Sequence, residues 1–238
     1  MNTVKLDEYY SAGYFLIRKN KRPDWLDEPV GLVPAEMVSL EREFCPKFHL
    51  AWGWGSTDRT RALNFGIDET KWADFEKWCA NHDDHEIEIW SMFRSTSAAR
   101  RFIETFIPEP KWDDLFIVGV GLHQSHFVDW EEPYGTEGVE IRISERLPLE
   151  GGGQAIGFDV ASYAHNDFDH TWFSHGHHKG IFENLGIRPG KYGLLQTPEE
   201  AVLAQAYTNE HDGYSYEYWL LVAYPLRVDD PILTDSKR

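Results

Sequence analysis

Lysine and arginine are in short supply: 23 of them face 40 aspartates and glutamates in 238 residues, a formal charge of −17. Nucleic-acid phosphates must be met by clustered cations whose counterion release supplies most non-specific affinity, so direct nucleic-acid binding is not expected. The basic runs that occur, Arg18-Lys19-Asn20-Lys21-Arg22 and the group Arg94, Arg100 and Arg101, are short and read as solvated faces. Cysteine is nearly absent. Cys45 and Cys79 are too few for a disulfide scaffold and form no Cys-x-x-Cys pair, so both are expected to be reduced and buried. No segment approaches ~18 uninterrupted apolar residues. The opening residues Met1 to Glu8 lack the charged start and apolar run of a secretory signal, so a soluble, cytoplasmic protein without membrane contact is expected. Phosphate-cradling Gly-x-Gly-x-x-Gly and Gly-x-x-x-x-Gly-Lys patterns are missing, as is the Gly-x-Ser-x-Gly elbow of a serine nucleophile.

Aromatic residues, by contrast, are plentiful: 10 Trp, 11 Tyr and 14 Phe point to a folded body with a large core. Self-repulsion among the surplus carboxylates opposes compaction, and a basic partner is one reason to keep them. From Glu104 to Glu150 there are eleven acids against three bases, a local −8 that reads equally as a contact surface or a solvated edge.

Hydrophobic periodicity places the elements. Gly13 to Ile17 is a short β-favouring run, followed by an irregular stretch containing Pro23, Pro29 and Pro34. Asp68 caps a helix to about His82, with Trp72, Phe75, Trp78 and Cys79 recurring at steps of three and four. Ile87 to Phe93 reads as a strand, and Ser97 to Ile107 as a helix burying Ala98, Phe102, Ile103 and Phe106. Leu115 to Leu122 is apolar on both alternating faces and is the candidate central strand. Glu140–Ile143 and Ala155–Ala161 are weaker strands. A helix from Trp172 to Leu185 would end at Gly186, and Thr197-Pro198-Glu199-Glu200 forms a capping box opening a helix to about Thr208. Tyr214 to Tyr224 alternates as a long final strand. Helices and strands mix without a regular βαβ repeat or an internal sequence repeat. The expectation is a single α+β domain, a mixed, largely antiparallel sheet packed by about four helices.

Two constellations suggest chemistry. His165, Asp167, Asp169, His170, His175 and His178 are imidazoles and carboxylates of the kinds that ligate divalent metal. On a helix His175 and His178 share a face while His177 points elsewhere, so loop residues would have to complete a site. Apart from such a metal, no cofactor is expected. His123 and His126, beyond the central strand and near Asp129, Glu131 and Glu132, allow a His–acid pair to be drawn, although a hydrophilic turn is the commoner use of such residues. For partner binding, Trp52 and Trp54 flank Gly53 and would present two indoles on one side of an extended segment, with Asp129, Glu131, Glu132 and Glu137 supplying negative charge. Tyr214, Tyr216 and Tyr218 would form either an exposed recognition row or a covered sheet face.

The residues Gly157-Phe158-Asp159-Val160, Trp172-Phe173-Ser174, Asn184-Leu185-Gly186-Ile187, Tyr192-Gly193-Leu194-Leu195 and Glu199-Glu200-Ala201 resemble a pattern found in uncharacterised bacterial cytosolic proteins. Some acidic, Trp-rich proteins of that kind are immunity proteins of polymorphic toxin systems. The resemblance covers about the last third of the chain and transfers no active-site residue. It implies a bacterial source. The leading expectation, drawn from the −17 charge, the local −8 segment and the absence of a catalytic template, is a non-enzymatic immunity or inhibitor protein that neutralises a basic partner such as a toxin. The competing expectation is a metal-dependent hydrolase built on residues 165–178, and a third is a carbohydrate- or peptide-binding module on Trp52 and Trp54.

Overall fold

The computed structural model describes residues 4–18, 20–21, 38–39, 43–44, 57–80, 92–123, 147–164, 167–169, 178–211 and 216–227. Eight strands lie among them: β1 (Tyr9–Arg18), β2 (Asn20–Lys21), β3 (Val38–Ser39), β4 (Glu43–Phe44), β5 (Leu115–His123), β6 (Gln154–Ala164), β7 (Asp167–Asp169) and β8 (Tyr216–Tyr224). The helices are α1 (Thr57–Phe65), α2 (Trp72–Ala80), α3 (Thr96–Phe106), α4 (His178–Leu185) and α5 (Pro198–His211). Six strands form one sheet in the order β4-β1-β5-β8-β6-β7, and each described pairing is antiparallel. β2 and β3 form a separate ribbon. The fold is α+β.

Both faces of the sheet are buried, which is what the two-sided apolar sequence of β5 demands. On one face Tyr14, Leu16, Ile117, Phe158, Val160, Leu220 and Val222 pack with α3 and α5. On the other, Phe15, Ile17, Val118, Val120, Trp219 and Leu221 cluster with Met92 and Leu194. Much of the aromatic content joins α2 to α3. Phe75 lies 6.0 Å from Phe102 and 5.5 Å from Phe106, and Trp78 lies 5.0 Å from Phe102, tilted and edge-on geometries that ring quadrupoles favour.

The sheet order is a palindrome with a structural cause: the chain contains the same unit twice. In the first half β1 carries a bulge at Ser11/Gly13, Tyr14 and Phe93 exchange backbone hydrogen bonds of 2.8 and 2.7 Å, Ser95 caps α3, and β5 returns beside β1. In the second, β6 carries a bulge at Ala155/Gly157, and Phe158 and Leu195 exchange bonds of 2.9 Å in both directions. Thr197 caps α5, and β8 returns beside β6. α3 packs on β1 and β5, and α5 on β6 and β8. An approximate two-fold axis passes through the Val120–Leu221 pair, because it carries the Tyr14–Gly119 pair onto the equivalent Phe158–Leu220 pair. The repeat is one of structure alone, with no internal sequence repeat behind it.

Local signals predicted several element ends. Asp68 accepts from Thr70 N at 2.9 Å, although the turn it opens is a short 3-10 helix, Glu69–Lys71, ahead of α2. The capping box is reciprocal: Glu200 N donates to Thr197 Oγ1 at 3.2 Å and Thr197 N to Glu200 Oε2 at 3.3 Å. Gly186 ends α4 with φ +70°. Of the expected Ile87–Phe93 strand, residues 87–91 lie outside the described residues and Phe93 forms an isolated bridge to Tyr14; Glu140–Ile143 also lies outside them, as do residues 172–177 of the expected Trp172–Leu185 helix, of which α4 is the described part.

Candidate functional site

The proposed site residues are for the most part not placed. Trp52, Trp54, Asp129, Glu131, Glu132, Glu137, His165, His170 and His175 lie outside the described residues. Asp167 and Asp169 fall two apart in β7, paired with Ala164 and Ser162, and His178 is the first residue of α4; their backbone is described and their side chains are not. Among the described residues no group of three or more His, Cys, Asp or Glu is placed to hold a metal. His123 meets Tyr9 edge-on, with ring centroids 5.1 Å apart, while His126 and Asp129 lie outside the described residues. Tyr218 is buried on the sheet face beneath α5, so at that position the recognition-row reading gives way to a covered face.

Two further corrections concern charge. Arg18 was expected on a solvated face and is buried. Its guanidinium donates to Phe65 O at the C-terminal end of α1, to Lys111 O at 2.7 Å and to the Asp114 carboxylate. Arg100 is half-buried, donating to Leu226 O at 3.0 Å, Pro225 O at 3.1 Å and Thr96 Oγ1 at 3.1 Å. Within the acid-rich run 104–150, Asp114 pairs with Arg18, Glu109 with Arg227, and Glu150 serves α3. Asp114 and Glu150 are thus tied into the fold and Glu109 is paired at the surface, while Glu104 and Asp113 are the other described acids of the run and are exposed.

Glu150 is the centre of a polar network. Its carboxylate accepts from Thr96 N at 3.0 Å and from Thr96 Oγ1, placing negative charge at the positive end of α3. Its backbone receives the two buried phenols: Glu150 N donates to Tyr14 OH at 3.1 Å, and Tyr224 OH donates to Glu150 O at 2.7 Å. The Tyr14 and Tyr224 rings meet edge-on at 5.6 Å. The network clamps residues 147–150 across the sheet rather than presenting donors to a ligand. Replacing Glu150 by glutamine, which keeps the shape and loses the charge at the helix start, should lower unfolding free energy by about 1–2 kcal/mol, measured by denaturant titration.

Burial raises the phenol pKa of Tyr9, Tyr14 and Tyr224 above the ordinary value of 10. A raised folded-state pKa means that stability is fully present below pH ~10 and is lost as pH climbs beyond it, because only the unfolded chain ionises readily there. Absorbance at 295 nm should therefore show Tyr9, Tyr14 and Tyr224 ionising in a late step, together with unfolding, above pH ~10. Replacing both Tyr14 and Tyr224 by phenylalanine should remove amplitude from that late step only.

No family model, curated protein or solved structure matches the chain. The site therefore rests on this chain's own residues.

One stretch of the sequence carries charge of a single sign. From Tyr192 to Leu226 there are five acids and no Lys or Arg. α5 runs through this stretch, with Glu199 and Glu200 in its first turn and Glu210 in its last. Small residues, Ala201, Ala204 and Thr208, make its contact with the sheet. Sequence reasoning found the cap of this helix and missed its surface. The available signal was the missing cations, together with Val202 and Leu203 lying out of phase with the buried small residues.

Proposed function

We propose that this chain is a non-enzymatic acidic binding protein of the immunity or inhibitor kind, in bacterial cytoplasm, with a basic protein such as a toxin domain as its partner. The observation that supports the reading is α5 itself, a helix with no Lys or Arg in its sequence that carries exposed Glu199 and Glu210 on a chain of net charge −17. Carboxylates without neighbouring cations project a field that steers a basic partner and speeds encounter, while the apolar centre of an interface supplies most of the binding energy. No helix among the described residues is long and apolar enough to cross a membrane.

Titration against a panel of basic nuclease and other toxin domains tests the reading. At least one member should bind with an association rate that falls steeply between low and physiological salt. Binding that ignores salt, or none across the panel, counts against it.

A further inference from the structure

The duplicated unit supplies an internal control for α5. Aligning the two halves on their caps, Ser95 with Thr197, brings α3 and α5 into equivalent places over the same sheet face. On α3 the buried side carries Phe102, Ile103 and Phe106, and the outward side is polar, with Arg101, Glu104 and Thr105 exposed. On α5 the arrangement is reversed, with small residues, Ala201, Ala204 and Thr208, on the buried side and the large apolar Val202 and Leu203 facing outward. The places of Phe102, Ile103 and Phe106 are taken by Ala204, Gln205 and Thr208, whereas those of the exposed Arg101 and Glu104 are taken by Leu203 and Ala206, and that of the half-buried Arg100 by Val202. Val202 is 48% exposed and Leu203 54%. The fold does not require this, since α3 fills the same place with charge facing outward. Glu199, Val202, Leu203, Ala206 and Glu210 fall at i, i+3, i+4, i+7 and i+11, one exposed face with an apolar middle and a carboxylate at each end.

From this reversal we infer that the outward face of α5 is a docking surface, with Leu203 as its anchor, for an apolar patch bordered by Lys and Arg on a basic protein. The inference rests on the binding-protein reading and adds to it the place and the partner's chemistry. A second copy is the poorer occupant. In a self-complementary contact, carboxylates at both ends of the stripe would be brought against those of the other molecule, between chains that each carry −17.

Two synthetic peptides of equal length serve as probes, a cationic amphipathic Leu/Lys helix and an all-lysine chain, each titrated against the full chain at low and physiological salt. The Leu/Lys peptide should bind more tightly. The double variant Val202→Gln/Leu203→Gln should weaken it about tenfold or more, the effect of losing one buried aliphatic anchor, while leaving all-lysine binding and Tm unchanged. Leu203→Arg, which installs the residue α3 carries at the equivalent place, should weaken Leu/Lys binding further. If the glutamine variant binds the Leu/Lys peptide as the parent does, the docking face is wrong, and salt-dependent binding of both peptides would leave the broader reading standing. If neither peptide binds at low salt, both fall. If sedimentation finds a dimer that the variant abolishes, the face belongs to a second copy and the inference is overturned.

Discussion

Alanine at Gly157 should cost the fold about 3–5 kcal/mol, most of the stability of a typical domain. Gly157 has φ +146°, a conformation L side chains rarely adopt, and its added Cβ would stand 2.6 Å from Leu194 Cβ and 2.7 Å from Leu195 O. The second contact is the severe one. That carbonyl accepts the hydrogen bond from Phe158 N, so relief of the clash has to break the bridge, and Leu195 lies only two residues before the Thr197 cap of α5. Strain at one backbone position is thus transmitted to the registration of a helix. Gly13→Ala is the matching experiment in the other half. Its Cβ would lie 2.6 Å from Met92 Cβ but 3.3 Å from Phe93 O, so the backbone conflict is milder and the expected loss is smaller, about 2–4 kcal/mol. Gly151→Ala, with nothing within 4 Å of the added atom, is the control and should change stability by less than about 0.5 kcal/mol. Urea midpoints for the three variants should fall in that order. Equal, small losses at Gly157 and Gly13 would mean that the bridges do not hold the helices in place.

What could be read from the sequence was local. The Thr197 capping box, the apolar stripe of α3, the two-sided β5 and the glycine stop after α4 each place their signal within a few residues, and each is present as expected. What escaped was non-local or cancelled. The duplication was hidden because equivalent positions hold opposite residue types, Phe102 against Ala204 and Arg101 against Leu203, so that only backbone features, a bulge, a bridge and a cap, repeat. α1 was missed because its described side chains include only two buried apolar ones, Ala62 and Phe65, too few for a periodic pattern. The Glu150 network joins residues 54 and 136 positions apart, a separation that no window along the chain samples. Trp52, Trp54 and, but for the backbone of His178, the histidines of the metal-ligand set lie outside the described residues.

Arg18 shows why a charged run is an unsafe guide to exposure, and it carries the second large effect. Truncating Arg18 to methionine should destabilise the protein by about 3–5 kcal/mol, the usual consequence of stripping a buried cation from partners that remain in place. Those partners are the Phe65 and Lys111 carbonyls and the Asp114 carboxylate, and the guanidinium also lies 5.1 Å from the centre of the Phe65 ring. Phe65 is the last residue of α1, so the cation also meets the negative end of that helix. Methionine fills similar volume without a donor, which isolates the polar contribution from packing. Arg18→Lys keeps the charge, yet one ammonium cannot reproduce a planar fork that serves acceptors in different directions, so it should recover less than half of the loss. Asp114 is half exposed, and Asp114→Asn should cost only about 0.5–1 kcal/mol because solvent screens that side of the pair. The order of urea midpoints, Asp114→Asn well above Arg18→Lys and Arg18→Met lowest, would show that the arginine acts chiefly as a donor to backbone carbonyls, tying the end of α1 to the end of β1. Equal losses from Asp114→Asn and Arg18→Met would instead make the ion pair the source of the stability and remove the helix-end account.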